Sequence, residues 1–415
     1  MASVSKQFTA YAIVMLSKEG KLSLEDDVRK YIPNLADFGA TITLRHLLNH
    51  TSGLRDHWAL WAMSGGRMDD VIRQEDLIRL IQRQRDLNFA PGEEHLYSNT
   101  GYLLLSEVVS SVSGEKFSQW MHKHVFKPLG MNSTQIYDNH EKIVKGRAYS
   151  YYSSSEGLAK SVLSYANSGA TSLFTTAEDL ALWLQNFKTG EIGGMSVIKD
   201  MQVQGVLNNG KEIDYALGIV IGEQGGLRKI SHGGADAGFR TSLSYYPTIN
   251  SGVIILGNIS SFPAFSLANT VAETFFESEM IAKPSAEIKK GKTENGEIPN
   301  IPEETVKALI GKFIIENGPT VEITYADGKL SLHEPSGNEL DMLSLGDNLF
   351  KLDVPDADIK IQFEQEQNGE INRATFHQDG EIPMQRMKDW TPNIAELSRY
   401  VGRYYSDELE TFYSI

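Results

Sequence analysis

The chain has 415 residues, 41% of them apolar and 22% charged, an ordinary balance for a globular chain with a large core. Its formal net charge of -15 argues against nucleic acid or an anionic membrane as partner, since both call for a basic patch. No apolar run reaches membrane-spanning length, and the absence of cysteine excludes disulfides, thiol catalysis and cysteine-held metals.

A first helix is expected over residues 4–17, where Phe8, Tyr11, Ala12 and Met15 form a helical stripe that Gly20 ends. A short segment over 24–31 follows, with Glu25, Asp26 and Asp27 in its first turn and Pro33 beyond it. Thr43 reads as the N-cap of a helix over 44–50. Residues 74–85 repeat Leu and Ile at helical spacing. A strongly apolar helix starts near Tyr97-Ser-Asn-Thr100 and ends at Gly114, and another is expected over 117–126. Residues 149–169 are aperiodic and read as a long surface loop, after which Thr176 caps a helix over 177–187.

Beyond residue 213 the texture changes: 215–221, 228–231, 240–246 and 252–256 read as strands and 265–276 as a closing helix. This order points to an α+β fold, an antiparallel sheet packed between helices with a helical subdomain. Residues 281–303 have linker composition. Short strands at 321–325, 330–333, 349–352, 359–364 and 373–376, with glycines at the turns, predict a small all-β, barrel-like module over 304–390. Val306-Lys-Ala-Leu-Ile-Gly-Lys-Phe313 is similar to Leu397-Ser-Arg-Tyr-Val-Gly-Arg-Tyr404, so 391–415 is expected to begin a second β module.

Three short motifs carry chemistry. Ser3 and Lys6 stand three apart at the head of the first helix, one turn along one face, where a desolvated, neutral lysine can activate a serine. Ser-x-x-Lys is common by chance, and Ser113/Lys116 and Ser196/Lys199 also fit it. Tyr97-Ser-Asn99 places a phenol, whose anion an adjacent ammonium would favour, two residues before a carboxamide able to orient Lys6 or a substrate amide. Alone, it reads first as a half-buried tyrosine and a capping asparagine at a helix start. His232-Gly233-Gly234 is expected just where a strand begins, the glycines allowing close approach to the backbone and His232 holding Tyr97 or a substrate carboxylate.

In this order the motifs resemble those of the serine β-lactamase/penicillin-binding-protein superfamily, with Tyr-x-Asn as in class C β-lactamases and His-Gly-Gly in place of Lys-Thr-Gly. Arg45-His-Leu-Leu-Asn-His-Thr-Ser-Gly-Leu54, Ala90-Pro-Gly-Glu93, Pro128-Leu-Gly-Met131, residues 169–179 and Ile254-Ile-Leu-Gly-Asn258 also resemble this family, over about residues 1–277. The resemblance implies a β-lactamase/transpeptidase-like serine hydrolase domain over 1–280, with the module at 304–390 similar to the lipocalin-like domains appended to some of these peptidases.

Ser3 would then be the acylated nucleophile, Lys6 its activator and Tyr97 the general base that returns the proton to the leaving group. Asn99 and His232 would position substrate and Tyr97, Gly233 and Gly234 would admit substrate close to the strand, and the N–H groups of Ser3 and Ala235 would form the oxyanion hole. No cofactor or metal is implied, and His46 and His50, four apart within a family signature, are read as structural.

The expected partners are small-molecule or peptide substrates: D-amino-acid peptides or amides, short-chain esters or β-lactams. The alternatives are a penicillin-binding or peptidoglycan-recognising protein that acylates with little turnover, and an inactive scaffold. His-Gly-Gly removes the lysine that pairs with a drug carboxylate, and Lys229 lies three residues earlier. The resemblance also implies a helix and two strands ahead of the nucleophile helix, whereas here Ser3 is the third residue. A chain starting there is expected to leave a sheet edge bare and helix faces uncovered. It further implies a periplasmic or extracellular setting, with any signal peptide upstream of Met1; oligomeric state is left open.

Overall fold

The computed structural model describes residues 1–154, 156–281, 303–315, 319–326, 328–334, 339–354, 359–366, 368–377, 381–388 and 393–415. Two units are formed, Met1–Ala282 together with Gly402–Ile415, and Lys283–Val401. The expected linker at 281–303 falls almost wholly outside the described residues. Among the described residues no helix is long and apolar enough to cross a membrane.

The first unit is built around one helix. A 3₁₀ turn, Ala2–Ser5, runs into α1, Lys6–Lys18, and every residue from Lys6 to Leu16 is buried. The expected single helix over 4–17 is therefore tightened at its first turn. α1 is buried on all sides because it is sandwiched: α5 (Asn99–Ser113) lies against it on one side, and Trp183 from α7 (Ala177–Thr189) stacks on Phe8 with ring centroids 4.3 Å apart. Trp183 donates its indole N–H to Gln7 Oε1 at 2.6 Å, which satisfies a polar pair in this core.

Between α1 and α5 come α2 (Leu44–Leu48), α3 (His57–Met63) and α4 (Gln74–Gln82). Thr43 caps α2 as expected, in a reciprocal box with His46. The segment expected over 24–31 is mostly turn, with one 3₁₀ turn at Val28–Lys30, and the loop expected over 149–169 contains a hairpin, Ser150–Ser154 with Gly157–Ser161. α6 (Phe117–Met121) and α8 (Met195–Met201) complete this layer before the sheet.

The sheet is an antiparallel meander of Val220–Gln224, Leu227–Asp236, Phe239–Tyr246 and Ser251–Gly257. Alternation puts Ile230, Leu243 and Tyr245 into the core shared with α1, and Leu227, Tyr246 and Val253 under α9, Ala264–Phe275. The sheet thus lies between helices, as the sequence pattern implied. His232-Gly-Gly does not open its strand; it lies in the second half, paired with Leu243, Ser242 and Thr241.

In the second unit α10 (Glu303–Leu309) precedes a closed barrel of eight antiparallel strands. Three of these, Gly311–Ile315, Glu339–Gly346 and Glu381–Arg386, escaped the sequence pattern. Pro383 sits inside the last, opposite Thr375, where a proline normally argues against a strand. Phe313, Ile323, Phe350, Ile361 and Phe363 fill the interior.

Residues 391–415, expected to begin a second β module, form α11 (Ile394–Leu397) and a hairpin, Arg403–Ser406 with Thr411–Ser414, which belongs to the first unit. The physical reason lies in its turn. Glu408 bonds Arg55 at 2.9 Å and the Arg85 backbone N–H at 2.6 Å, Asp407 pairs with Arg85 at 3.2 Å, and Glu410 pairs with Arg83.

Candidate active site

Burial of the head of α1 dictates the electrostatics of the site. Lys6 is fully buried and its Nζ lies 3.2 Å from Ser3 Oγ, 2.8 Å from Asn99 Oδ1 and 3.1 Å from the Ala170 carbonyl oxygen. Desolvation pulls its pKa from an ordinary 10.5 to about 7, against the opposing pull of the Asp56 and Asp236 carboxylates. Gly169 lets the Ala170 carbonyl reach the lysine: its φ is +93°, and a Cβ there would lie 2.1 Å from the Tyr102 carbonyl oxygen.

Tyr97 lies just before α5 and borders the cavity with 37% of its surface exposed, while its hydroxyl is hydrogen-bonded with Ser3. Lys6 Nζ sits 4.6 Å from its ring centroid. That cation does not win: burial is the largest influence on the phenol and raises its pKa well above 10, so the group stays protonated. The ring is held by His50, 4.2 Å away between centroids, whose Nδ1 accepts the Ser98 backbone N–H at 3.1 Å. His50 therefore shapes the Tyr97 turn, and His46 caps α2.

His232 is buried and does not bond Tyr97. Its Nδ1 is 2.6 Å from the Gly233 carbonyl oxygen, which can only accept, so Nε2 accepts the Tyr215 hydroxyl at 2.9 Å. Burial lowers its pKa to about 4 and fixes the neutral ring. His232 thus holds Tyr215, whose ring packs 6.2 Å from that of Tyr97, and its own ring lies 6.4 Å from the Tyr97 ring without a hydrogen bond to the phenol.

Gly234 explains the need for glycine on this strand. A Cβ there would lie 2.4 Å from Thr241 Oγ1 and 2.5 Å from the Met1 carbonyl oxygen. Thr241 donates to that same Met1 oxygen at 2.9 Å, which pins the strand against the turn carrying Ser3. Gly233 has nothing within 3.9 Å of the corresponding position.

Ser3, Tyr97, Asn99 and Ala235 line one cavity of about 580 Å³, with Trp58, Met68, Tyr152, Val162 and Tyr165 among its apolar and aromatic walls. Lys160, Asp69 and Asp236 bring charge to it. The Asp236 carboxylate accepts the hydroxyls of Tyr165 and Thr171, and burial raises its pKa to about 6. The rival Ser-x-x-Lys pairs are used differently: Ser113 donates to the Val109 carbonyl at the end of α5, and Ser196 and Lys199 lie in α8. Lys229 is turned toward α9, with Nζ 2.6 Å from Asn269 Oδ1 and over the Phe265 ring.

Sequence reasoning brought together Ser3, Lys6, Tyr97 and Asn99 and missed Ala170, Tyr215, Asp236 and Asp56. Asp56 Oδ2 accepts both the Asn99 backbone N–H at 2.6 Å and its Nδ2 at 2.9 Å. Its signal was present: Asp56 precedes an apolar His-Trp-Ala-Leu-Trp run, an N-cap pattern, and it caps the Trp58 N–H at 2.9 Å.

Comparison with known proteins places the chain among relatives. The chain is 27% identical over 396 residues to penicillin-binding protein 4* of Bacillus subtilis, covering 87% of this chain and 82% of that one. A D-aminopeptidase of Brucella anthropi is 26% identical over 241 residues, 58% of this chain and 45% of its own length, so the chain spans about half of such relatives. Among solved structures, the octameric penicillin-binding protein homologue from Pyrococcus abyssi matches with a TM-score of 0.61 at 25% identity, over 93% of this chain and 87% of that one. The profile of the Beta-lactamase family matches residues 1–274. With that match over most of its length, the chain belongs to the Beta-lactamase family, within the serine β-lactamase/penicillin-binding-protein superfamily.

Proposed function

We propose that the protein is a serine hydrolase that forms an acyl-enzyme on Ser3 with amides or esters, D-amino-acid peptides and amides first among them. The observation that carries this reading is the contact of a buried lysine of pKa about 7 with Ser3 Oγ at 3.2 Å, on the wall of a substrate-sized cavity. Relatives named D-aminopeptidase support the amide class.

In the cycle, neutral Lys6 takes the Ser3 proton and Oγ bonds to the substrate carbonyl carbon. The carbonyl electrons move onto oxygen, which the N–H groups of Ser3 and Ala235 stabilise; one such donor is worth about 100- to 1000-fold in rate. Collapse restores the carbonyl and breaks the C–N or C–O bond. The leaving amine or alcohol takes the Tyr97 proton, and the Lys6 ammonium returns a proton to Tyr97. Water then attacks the acyl ester and passes a proton to Lys6, and Ser3 Oγ leaves with that proton. The closed barrel in Lys283–Val401 fits the lipocalin-like reading of the appended module.

A fluorophosphonate probe tests the nucleophile: labelling is expected in the wild type and absent in Ser3→Ala, and labelling that survives Ser3→Ala overturns the assignment. Hydrolysis rates for D-alanine p-nitroanilide, its L-isomer, p-nitrophenyl acetate and nitrocefin then identify the substrate class. Turnover of nitrocefin should be slow, because His232 replaces the lysine of Lys-Thr-Gly and Lys229, earlier on the same strand, is engaged at Asn269.

A further inference from the structure

Lys6 faces three acceptors at hydrogen-bond distance: Ser3 Oγ, Asn99 Oδ1 and the Ala170 carbonyl oxygen. An ammonium donates three bonds, but a neutral amine donates only two and has one lone pair. Two of the three neighbours must therefore be pure acceptors if the lone pair is to meet the Ser3 hydroxyl. The Ala170 carbonyl has no choice. A carboxamide does: turned over, Asn99 would present its NH₂ to Lys6 and compete with Ser3 for the lone pair.

Asp56 removes that choice. A carboxylate only accepts, and its Oδ2 lies 2.9 Å from Asn99 Nδ2, so the amide nitrogen faces Asp56 and Oδ1 faces Lys6. The same oxygen holds the Asn99 backbone N–H at 2.6 Å, which fixes the first residue of α5. Its other oxygen caps α3 at Trp58, a wall of the cavity. We infer that Asp56 is a positioning residue for acylation: its carboxylate orients the Asn99 carboxamide so that the Lys6 lone pair is reserved for Ser3. This inference rests on the reading of Ser3 as nucleophile.

Its charge gives a second readout. The charged groups that bias Lys6 are Asp56 and Asp236, both raising its pKa against burial, while the Met1 amino group faces Asp236. His50, His57 and His232 are held neutral by burial, and the Tyr97 and Tyr102 phenols are held protonated. Loss of the Asp56 charge lowers the Lys6 pKa, so the neutral amine persists to lower pH and the acid limb of acylation moves down.

The experiment measures fluorophosphonate acylation against pH in the wild type, Ser3→Ala, Asp56→Asn and Asp56→Ser, with thermal melts alongside. Asp56→Ser retains an N-cap for α3 but is too short to reach Asn99, which keeps the test open if the asparagine variant folds poorly. The expected result is a fall of about 10- to 100-fold on the alkaline plateau, the cost of a misplaced reacting group, together with an acid limb at lower pH in both variants. A limb that stays in place, or a plateau at the wild-type rate in a folded variant, overturns the role of Asp56 while leaving Ser3 intact. Labelling that persists in Ser3→Ala overturns the underlying site instead.

Discussion

Replacing Gly234 by alanine inserts one methyl group where the strand meets the nucleophile turn. That carbon would lie 2.4 Å from Thr241 Oγ1, 2.5 Å from the Met1 carbonyl oxygen and 3.1 Å from Ala2 Cβ. Thr241 can rotate away, but the Met1 carbonyl is main chain two residues before Ser3. Ordinary contact begins at 3.4 Å, so the turn or the strand must give by about 0.9 Å, the difference between 3.4 and 2.5. Overpacking of this kind costs about 1–3 kcal/mol of stability, and a reacting group displaced by about 1 Å loses about 100-fold in rate. Fluorophosphonate acylation of Ser3 should fall by about that factor in Gly234→Ala. In Gly233→Ala, where nothing lies within 3.9 Å, it should stay within about threefold of wild type, with stability changed by less than about 0.5 kcal/mol. A Gly234→Ala protein that acylates at the wild-type rate and melts at the wild-type temperature would refute the claim that this contact sets the position of Ser3.

Tyr97→Phe should lower turnover of D-alanine p-nitroanilide by about 100- to 10,000-fold, the usual worth of a positioned proton donor, and p-nitrophenyl acetate by less, since its phenolate departs without a proton. Equal losses with both substrates would argue against Tyr97 as the donor to the leaving group. Lys6→Arg should lose at least about 100-fold in acylation at every pH up to 10, because a guanidinium does not release its proton in that range; steady-state acylation rates check it. Glu408→Ala should speed hydrogen exchange of the Arg403–Ser406 and Thr411–Ser414 amides, as should raised salt in the wild type, since the partly exposed ion pairs at Arg55 and Arg83 and the exposed one at Arg85 hold the turn.

What the sequence revealed divides along physical lines. Helices α1, α2, α5 and α7 were legible because each combines an apolar stripe with a cap or stop residue, and the caps at Thr43 and Thr176 form in the fold. α3 was not, because Trp58, Ala59, Leu60 and Trp61 form a short run without period, and its start at Asp56 is visible only as a cap. The barrel strands Glu339–Gly346 and Glu381–Arg386 were hidden by charged residues and by Pro383, since closure of the barrel overrides weak local preference. In the site, Ser3, Lys6, Tyr97 and Asn99 were readable from type and spacing. Ala170 and Gly169 act through main chain, so the family-like stretch 169–179 did not disclose their role, and Tyr215 and Asp236 act through tertiary contact that spacing does not reveal.

Burial accounts for the division of labour between Lys6 and Tyr97. In water an amine of pKa 10.5 and a phenol of pKa 10.0 compete almost evenly for one proton, and near neutral pH the amine is charged. Buried Lys6 falls to about 7 and becomes an amine, while desolvation of the Tyr97 hydroxyl raises its pKa and it remains a phenol. Two groups that were nearly equivalent become a base and an acid at the same pH, which is what splitting an amide requires. The agent of that separation is α1 itself, buried from Lys6 to Leu16 between α5, α7 and the sheet. Anything that hydrates the head of this helix should push the two pKa values back together, and should lower amide turnover before it lowers the binding of substrate in the cavity.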